Sequence, residues 1–358
     1  MEEQKDMSGL LERVMQPAFC VKDGIIILVN QAARQILIQA DTPVTVLLGD
    51  ASEEYNTFEG GCLCMTLEFS GRPHQISITR MEGFDLFVFE QAEEQAELRA
   101  MALTALGLRE PLSDIIAVTD QLFPTVENID DPLTQARVCR MNRRLNQLHR
   151  IVCNMTDAIQ YASDTLPRMT CQDICSVMEE IFDHARELIT SSGFHLTYSG
   201  PRDSIYCMIC AERLERAVYN MLSNSMKYAD PGSLIEAKLS SRNGKVYISV
   251  QDNGRGIPSS MLGKVFTRYQ RQPGLEDPLS GLGLGMVLVR GTAAAHGGTV
   301  LINQPNGSGT RITMSLAIRR CHSNTVRSNT LHVDYAGERD HGLLELSDVL
   351  PPEFYAKN

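Results

Sequence analysis

Two stretches of the chain place apolar residues alternately four and three positions apart. Met101, Ala105, Leu108, Leu112, Ile115, Thr119 and Leu122 make one series. Val138, Met141, Leu145, Leu148, Val152, Met155, Ile159 and Ala162 make the other. This is a heptad seam, and it predicts two helices that each carry an apolar stripe. Between them Asp131-Pro132 supplies a cap and a proline at the first helical position. Residues 92–163 are therefore expected to form an antiparallel helical hairpin. A lone hairpin leaves apolar surface uncovered, so a homodimer closing a four-helix bundle is expected. The alternative is a monomeric hairpin covered by another domain.

Upstream, over residues 8–91, the pattern changes to short apolar runs. "FCVKDGIIILVN" is two such runs broken by Asp23-Gly24, a hairpin signal. "NQAARQILI" reads as a short helix opened by Asn30, and "CLCMTLEF", "HQISITRM" and "FDLFVFE" read as later strands. The order resembles that of a PAS sensor domain, a small α/β fold. His74, the sole histidine in this segment, is expected at the surface. Residues 168–320 alternate helices ("SVMEEIFDHARELI", "AERLERAVYNMLSNSMKYA", "MVLVRGTAAAH") with strands ("KVYISVQ", "GTVLINQ", "TRITMSLAI"). The polar stretch "TRYQRQPGLEDPLSG" interrupts them as a loop or lid. In the extension 321–358, apolar spacing suggests a strand and a short helix docked on the preceding unit.

Composition narrows the function. Of 358 residues 43% are hydrophobic and 22% charged, as in globular chains, and no apolar run approaches the ~20 residues of a membrane span. The N-terminal "MEEQKDM" is not a signal peptide, and a cytoplasmic location is expected. A net charge of -11 without a basic block argues against nucleic-acid binding. Ten cysteines in a chain this long suggest packing thiols, not a disulfide framework. Cys207 and Cys210 form a lone CxxC, with no second pair at zinc-site spacing. They suit a buried strand leading into a helix.

Three pieces then occur in an order that carries chemistry. Asn220, Asn224 and Lys227 share one helix face at i, i+4 and i+7, with Tyr228 next to the lysine. "DNGRGIP" follows a strand at Asp252. "GLGLG", Gly281 to Gly285 with Leu284 inside it, opens another helix. A carboxylate at Asp252 can accept from an exocyclic amine such as that of adenine. Gly254 and Gly256 let the backbone pass close to a ring. Gly281, Gly283 and Gly285 let amides approach a phosphate at a helix start. Asn224 offers a neutral oxygen to Mg, and Lys227 a point charge to phosphate oxygens. The expected ligands are ATP and Mg. The glycines follow a lid, not a first strand, so a dinucleotide fold is excluded.

At these residues the sequence resembles the ATP-binding domain of sensor histidine kinases, in the GHKL family shared with gyrase, heat-shock protein 90 and mismatch-repair ATPases. "NMLSNSMKY" resembles the N box, and "DNGRGIP" and "GLGLGMVLV" the two glycine boxes. "VFTRYQR" resembles the F box, whose Arg268 and Arg271 would approach the terminal phosphate. "AHGGTV" and "NGSGTRITMSL" resemble the last strands. Leu282 stands where the family usually has Thr or Ser. The resemblance implies a multidomain α+β chain: a PAS-like sensor, a dimerisation hairpin, and an α/β-sandwich ATP-binding domain.

The first hairpin helix of that family carries a phosphoacceptor motif, usually His-Glu-Leu-Arg-Thr-Pro-Leu. Here "LGLREPL" fills the frame. Leu108, Arg109, Pro111 and Leu112 match, but Leu106 replaces the histidine and Gly107 the acid. Leucine has no nucleophilic nitrogen and glycine no base. His149, on the second helix, is expected to be an ordinary, partly exposed residue. The resemblance thus implies a signalling protein that binds Mg-ATP and dimerises without autophosphorylating on its bundle helix. Leu106, one residue past the seam, is expected to face outward. In the related ATPases a glutamate activates water at the position of Asn220, so hydrolysis is expected to be slow. Alternatives are an active kinase that phosphorylates a partner protein, or a partner kinase in a mixed dimer, and a scaffold without nucleotide binding. A response regulator is a candidate partner.

Overall fold

The computed structural model describes residues 11–12, 14–69, 72–89, 93–127, 131–162, 167–258, 262, 265, 283–305, 308–319 and 340–356. Strands β1 (Ala18–Lys22) and β2 (Ile25–Val29) flank the Asp23-Gly24 turn. Both turn residues have positive φ, 51° and 77°, as a two-residue hairpin of this hand requires. Helices α1 (Gln31–Gln35), α2 (Val44–Leu48) and α3 (Ser52–Thr57) lead to β3 (Cys62–Phe69), β4 (Arg72–Met81) and β5 (Phe84–Phe89). Asn30 opens α1. Its buried amide accepts from the Ala33 and Ala18 backbone N–H groups at 2.9 and 3.0 Å and donates to the Val14 and Gln16 carbonyls at 2.9 and 2.8 Å. One side chain thereby ties the helix start to β1. His74 is half-buried, its ring 5.9 Å from that of Phe89 and 6.3 Å from that of Phe69.

Helices α4 (Glu93–Glu127) and α5 (Pro132–Ala162) follow, and α4 continues through Pro111. Proline has no N–H for the Gly107 carbonyl. One turn on, the Ser113 hydroxyl donates to the Arg109 carbonyl at 2.9 Å. Asp131 caps α5, accepting from the Leu133 and Thr134 N–H groups at 3.2 and 3.1 Å. The two helices pack through Ala105, Leu112, Ile116, Val152, Leu145 and Met155. Of the other seam residues, Leu108, Ile115, Met141 and Leu148 lie exposed, whereas Thr119 is buried and Val138 half-buried.

A third face of α5 is also covered. Asn142, Asn146, His149, Arg150 and Cys153 are buried, at spacings of four, three, one and three. His149, only 2% exposed, therefore departs from the partly exposed position expected of it. The expectation took account of the apolar seam alone, whereas the segments Gly285–Ala295, His341–Glu345 and Pro352–Tyr355 also pack against this helix.

The rest is β6 (Thr170–Asp173), α6 (Ile174–Ser191), β7 (His195–Ser199), β8 (Tyr206–Ile209), α7 (Ala211–Tyr228), β9 (Leu234–Arg242), β10 (Lys245–Asp252), α8 (Gly285–Ala295), β11 (Val300–Asn303), β12 (Thr310–Ala317) and α9 (His341–Glu345). Helix α6 buries Ile174, Val177, Met178, Ile181, Phe182, Ala185 and Ile189, the stripe that its sequence spacing predicts. Each large member of it contributes about 1.5–3 kcal/mol through burial. They meet Leu214, Val218 and Met221 of α7 and Ile235, Val246, Ile248 and Met314 of the sheet in one core. Cys207 is buried in β8, and the Cys210 N–H donates to His296 Nε2 at 3.1 Å where α7 begins. Cys171 is disulfide-bonded, unlike the other described cysteines.

A single ten-stranded sheet runs in the order β2-β1-β5-β4-β3-β11-β12-β10-β9-β7, while β6 and β8 pair separately. The halves join where β3 lies antiparallel to β11, with Cys62 opposite Ile302 and Cys64 opposite Val300. Gly61 stands at this joint with φ of 96°, and a Cβ on it would strike the Ile302 carbonyl oxygen. Gly61→Ala is expected to cost about 1–3 kcal/mol from backbone strain alone. Amide exchange at residues 300–303 should accelerate more than in α6. Uniform exchange rates in the two elements would show that the joint does not depend on this glycine.

Candidate nucleotide-binding site

The described part of the site is built by α7, the end of β10, and the start of α8. Asn220, Asn224 and Lys227 lie along α7, which is largely buried: Asn220 is in the interior, Asn224 and Lys227 half-buried. Asp252 ends β10 and is also buried. Its Oδ1 accepts from the Gly254 N–H at 2.9 Å and the Thr310 N–H at 3.1 Å. Burial pushes its carboxyl above the usual value, against the lowering effect of those two amides and the Ser225 hydroxyl. With both backbone donors on one oxygen, Oδ2 is the acceptor that a ligand amine would find.

The glycines serve close approach. A Cβ on Gly254 would strike the Tyr228 carbonyl, and one on Gly256, at φ of 72°, the Gln304 amide. The Tyr228 carbonyl also accepts from the Arg255 N–H at 3.4 Å, and the Arg255 guanidinium lies 5.1 Å from the Tyr228 ring centroid. These contacts join the C-terminal end of α7 to the loop after Asp252. Gly283 adopts φ of 69°, and buried Leu284 caps α8. Gly285 has a second role that spacing did not reveal. A Cβ there would lie 2.7 Å from Asn220 Oδ1, so the α8 start can abut α7 only without a side chain. Gly281, Arg268, Arg271 and Leu282 lie outside the described residues.

Sequence reasoning missed a set of charged residues beside this site. Arg150 of α5 donates to Asn220 Oδ1 at 3.1 Å, and Asn220 donates to the Arg216 carbonyl at 2.8 Å. Arg150 also pairs with Glu345 at 3.1 Å and Asp348 at 2.8 Å, and Arg216 with Glu345 at 2.8 Å and with Asp157. Lys227 Nζ pairs with Asp348 at 3.1 Å. Burial pushes the Glu345 carboxyl up, but the Arg216 and Arg150 guanidiniums outweigh it and hold it below its usual value. For Asp348, burial is likewise outweighed by Arg150 and Lys227. A polar signal was present: Asn142, Asn146, Arg150 and Asn154 repeat every four residues beside the apolar seam of α5. Glu345 and Asp348 similarly interrupt the apolar run "LLELSDVL".

Residues 210–320, which hold α7, Asp252 and the glycines, match the family profile described as histidine kinase-, DNA gyrase B-, and HSP90-like ATPase. This segment is an ATPase domain of that family, and the chain as a whole is similar to sensor histidine kinases. It is 26% identical over 328 residues to the sensor histidine kinase WalK of Bacillus subtilis, covering 82% of this chain and 52% of that protein. It is 27% identical over 187 residues to the signal transduction histidine-protein kinase BaeS of Escherichia coli, covering 52% of this chain and 38% of that protein. The chain thus spans about half or less of the length of these two sensor kinases. Among solved structures, full-length ShkA in complex with AMPPNP matches with a TM-score of 0.49 and 18% identity, covering 62% of this chain and 47% of that one. No helix among the described residues is long and apolar enough to cross a membrane.

Proposed function

We propose that this protein is a dimeric signal transducer that binds Mg-ATP and does not phosphorylate its own hairpin helix. The observation that carries the first half is the Asp252 carboxylate, with one oxygen held by two backbone amides and a cradle beside it that a Cβ on Gly254 would fill. Oδ2 would accept from the adenine amine. Asn224, half-buried one turn beyond Asn220, would hold Mg, which supplies charge to the phosphate oxygens. Lys227 would add a point charge, and Tyr228 with Gly254, Gly256, Gly281, Gly283, Leu284 and Gly285 would wall the pocket. Arg268 and Arg271 would reach the terminal phosphate. Asn220 cannot take a proton from water as a glutamate would, so bound ATP should turn over slowly.

The second half rests on Leu106. It occupies the acceptor position and is 48% exposed on a helix continuous through Pro111, with Gly107 beside it. The helix presents this position and carries no nitrogen nucleophile there. Output would be a conformational state, set by a PAS-like N-terminal domain and read by a response regulator or partner kinase. The pocket would equally serve phosphorylation of another protein, and labelled ATP offered with candidate partners separates the two readings. Leu108, Ile115, Met141 and Leu148 form the exposed apolar stripe that a second copy would cover.

Asp252→Asn keeps Oδ1 for the two amides and replaces Oδ2 by a donor facing the adenine amine. Calorimetry should show ATP affinity falling by about 1–3 kcal/mol, with the melting temperature nearly kept. An unchanged dissociation constant would remove Asp252 from the base pocket.

Given Mg-ATP, the protein should form no acid-labile phosphohistidine. Leu106→His with Gly107→Glu should gain some labelling if the ATP-binding domain and hinge remain competent to reach it, and Leu106→His alone about 10²–10⁴ less in rate, because no base takes the proton. Labelling of the unmutated chain on any histidine contradicts the proposal.

Light scattering should give the mass of two chains, and Leu148→Glu, which places a charge in the stripe, should give one. A monomeric unmutated protein would rule out the bundle.

A further inference from the structure

The tail after residue 339 is anchored by apolar residues and aimed by charged ones. Leu344, Leu346, Leu350 and Tyr355 are buried, and Tyr355 donates to the Leu343 carbonyl at 2.7 Å, closing the segment on itself. Toward the hairpin, Arg143 donates to the Ser347 and Asp348 carbonyls at 3.0 Å each, Gln147 to the Ser347 carbonyl at 3.0 Å, and Asn142 to the Tyr355 carbonyl at 3.2 Å. Toward the ATP-binding domain, Glu345 holds Arg216 and Asp348 holds Lys227. Asp348 Oδ2 takes both Arg150 and Lys227, so one carboxylate oxygen bridges the two units.

Two residues assigned above to the nucleotide are engaged by this assembly. Lys227 pairs with a carboxylate where a phosphate oxygen would be its partner. Asn220 accepts from Arg150, the arginine that Glu345 and Asp348 hold in place. An aspartate offers a lysine the same kind of contact as a phosphate: an anionic oxygen at hydrogen-bond distance.

We propose that residues 340–356 are a built-in latch: they hold the ATP-binding domain against the hairpin, with Asp348 occupying Lys227 in place of a nucleotide phosphate. This rests on the assignment of Lys227 to ATP made above. Latch and nucleotide are then mutually exclusive at that lysine. Binding of ATP takes Lys227 from Asp348 and weakens the hold of the tail on α7, and the latch lowers the apparent ATP affinity in proportion to the unlatched fraction. The latch makes nucleotide occupancy a determinant of how firmly the two units are joined.

The test uses the full chain with Mg-ATP as probe. Asp348→Asn keeps an oxygen for the hydrogen bonds and removes the negative charge that faces Lys227. Its ATP affinity by calorimetry should be roughly three- to tenfold tighter than that of the unmutated protein. As a readout independent of that variant's folding, saturating Mg-ATP on the unmutated chain should speed amide exchange over residues 343–350 at least several-fold. Tighter binding together with faster exchange supports the latch. ATP binding of unchanged or weaker affinity in a folded variant, or a tail equally protected with and without ATP, overturns the latch and leaves the nucleotide reading standing. No ATP binding by either protein overturns both.

Discussion

The Glu345 carboxylate sits with 0% exposure between Arg150 of the hairpin and Arg216 of the ATP-binding domain. Burying one charge without partners costs more than a domain can spare, and removing one partner from a buried pair typically costs about 3–5 kcal/mol. The three side chains therefore require one another, and the three segments that carry them cannot separate independently. Other features follow from that constraint. With Arg150 held, its remaining nitrogen reaches Asn220, and Asn220 so placed leaves no room for a side chain at Gly285. The start of α8 is thus set by a salt bridge contributed from near the chain's end.

A second joint closes the chain into a ring. The N-terminal half shares a sheet with the ATP-binding domain through β3 and β11. The joint is flanked by Glu54 with Lys245 at 2.6 Å and Glu53 with Asn243 at 2.9 Å. The N-terminal half continues in sequence toward α4 and the hairpin, and the hairpin meets the ATP-binding domain at the arginine–glutamate cluster. Each unit is therefore tied to the other two. A change in the strands of the first unit can reach the ATP-binding domain across the shared sheet.

Where the sequence carried a strong period or a turn with strict backbone demands, it was readable. Asp23-Gly24 and Asn30 did what their chemistry requires, β3 spans the stretch read as a strand, and α6 buries its apolar stripe. The pairing of Asp252 with two glycines was also legible, because few arrangements need a carboxylate followed by residues without Cβ. What was not legible lay in contacts between distant segments. Strands β7 and β9 pair in parallel, and neither stood out from polar surroundings. The join of β3 to β11 leaves no local mark except Gly61, one glycine among 26. His149 was misplaced because its helix has a polar side that other segments pack against, and heptad spacing describes only the apolar one. Gly285 was read as a phosphate approach, and its crowding against Asn220 appears only once α7 and α8 are packed.

The exposed Leu106 and the arginine–glutamate cluster bear on each other. A kinase that phosphorylates its own hairpin must let the nucleotide travel to the acceptor turn, so the two units must part or pivot. Here they are bound at a buried charge cluster that resists partial opening, since a half-open state leaves Glu345 or an arginine desolvated and unpaired. On the proposed reading, no acceptor at position 106 waits to be reached, and nothing requires that excursion. A chain relieved of it can keep a stiff connection between hairpin and ATP-binding domain and use nucleotide occupancy to tune that stiffness. Loss of the histidine and strengthening of the clasp would then be two aspects of one change, from transferring a phosphoryl group to holding a shape.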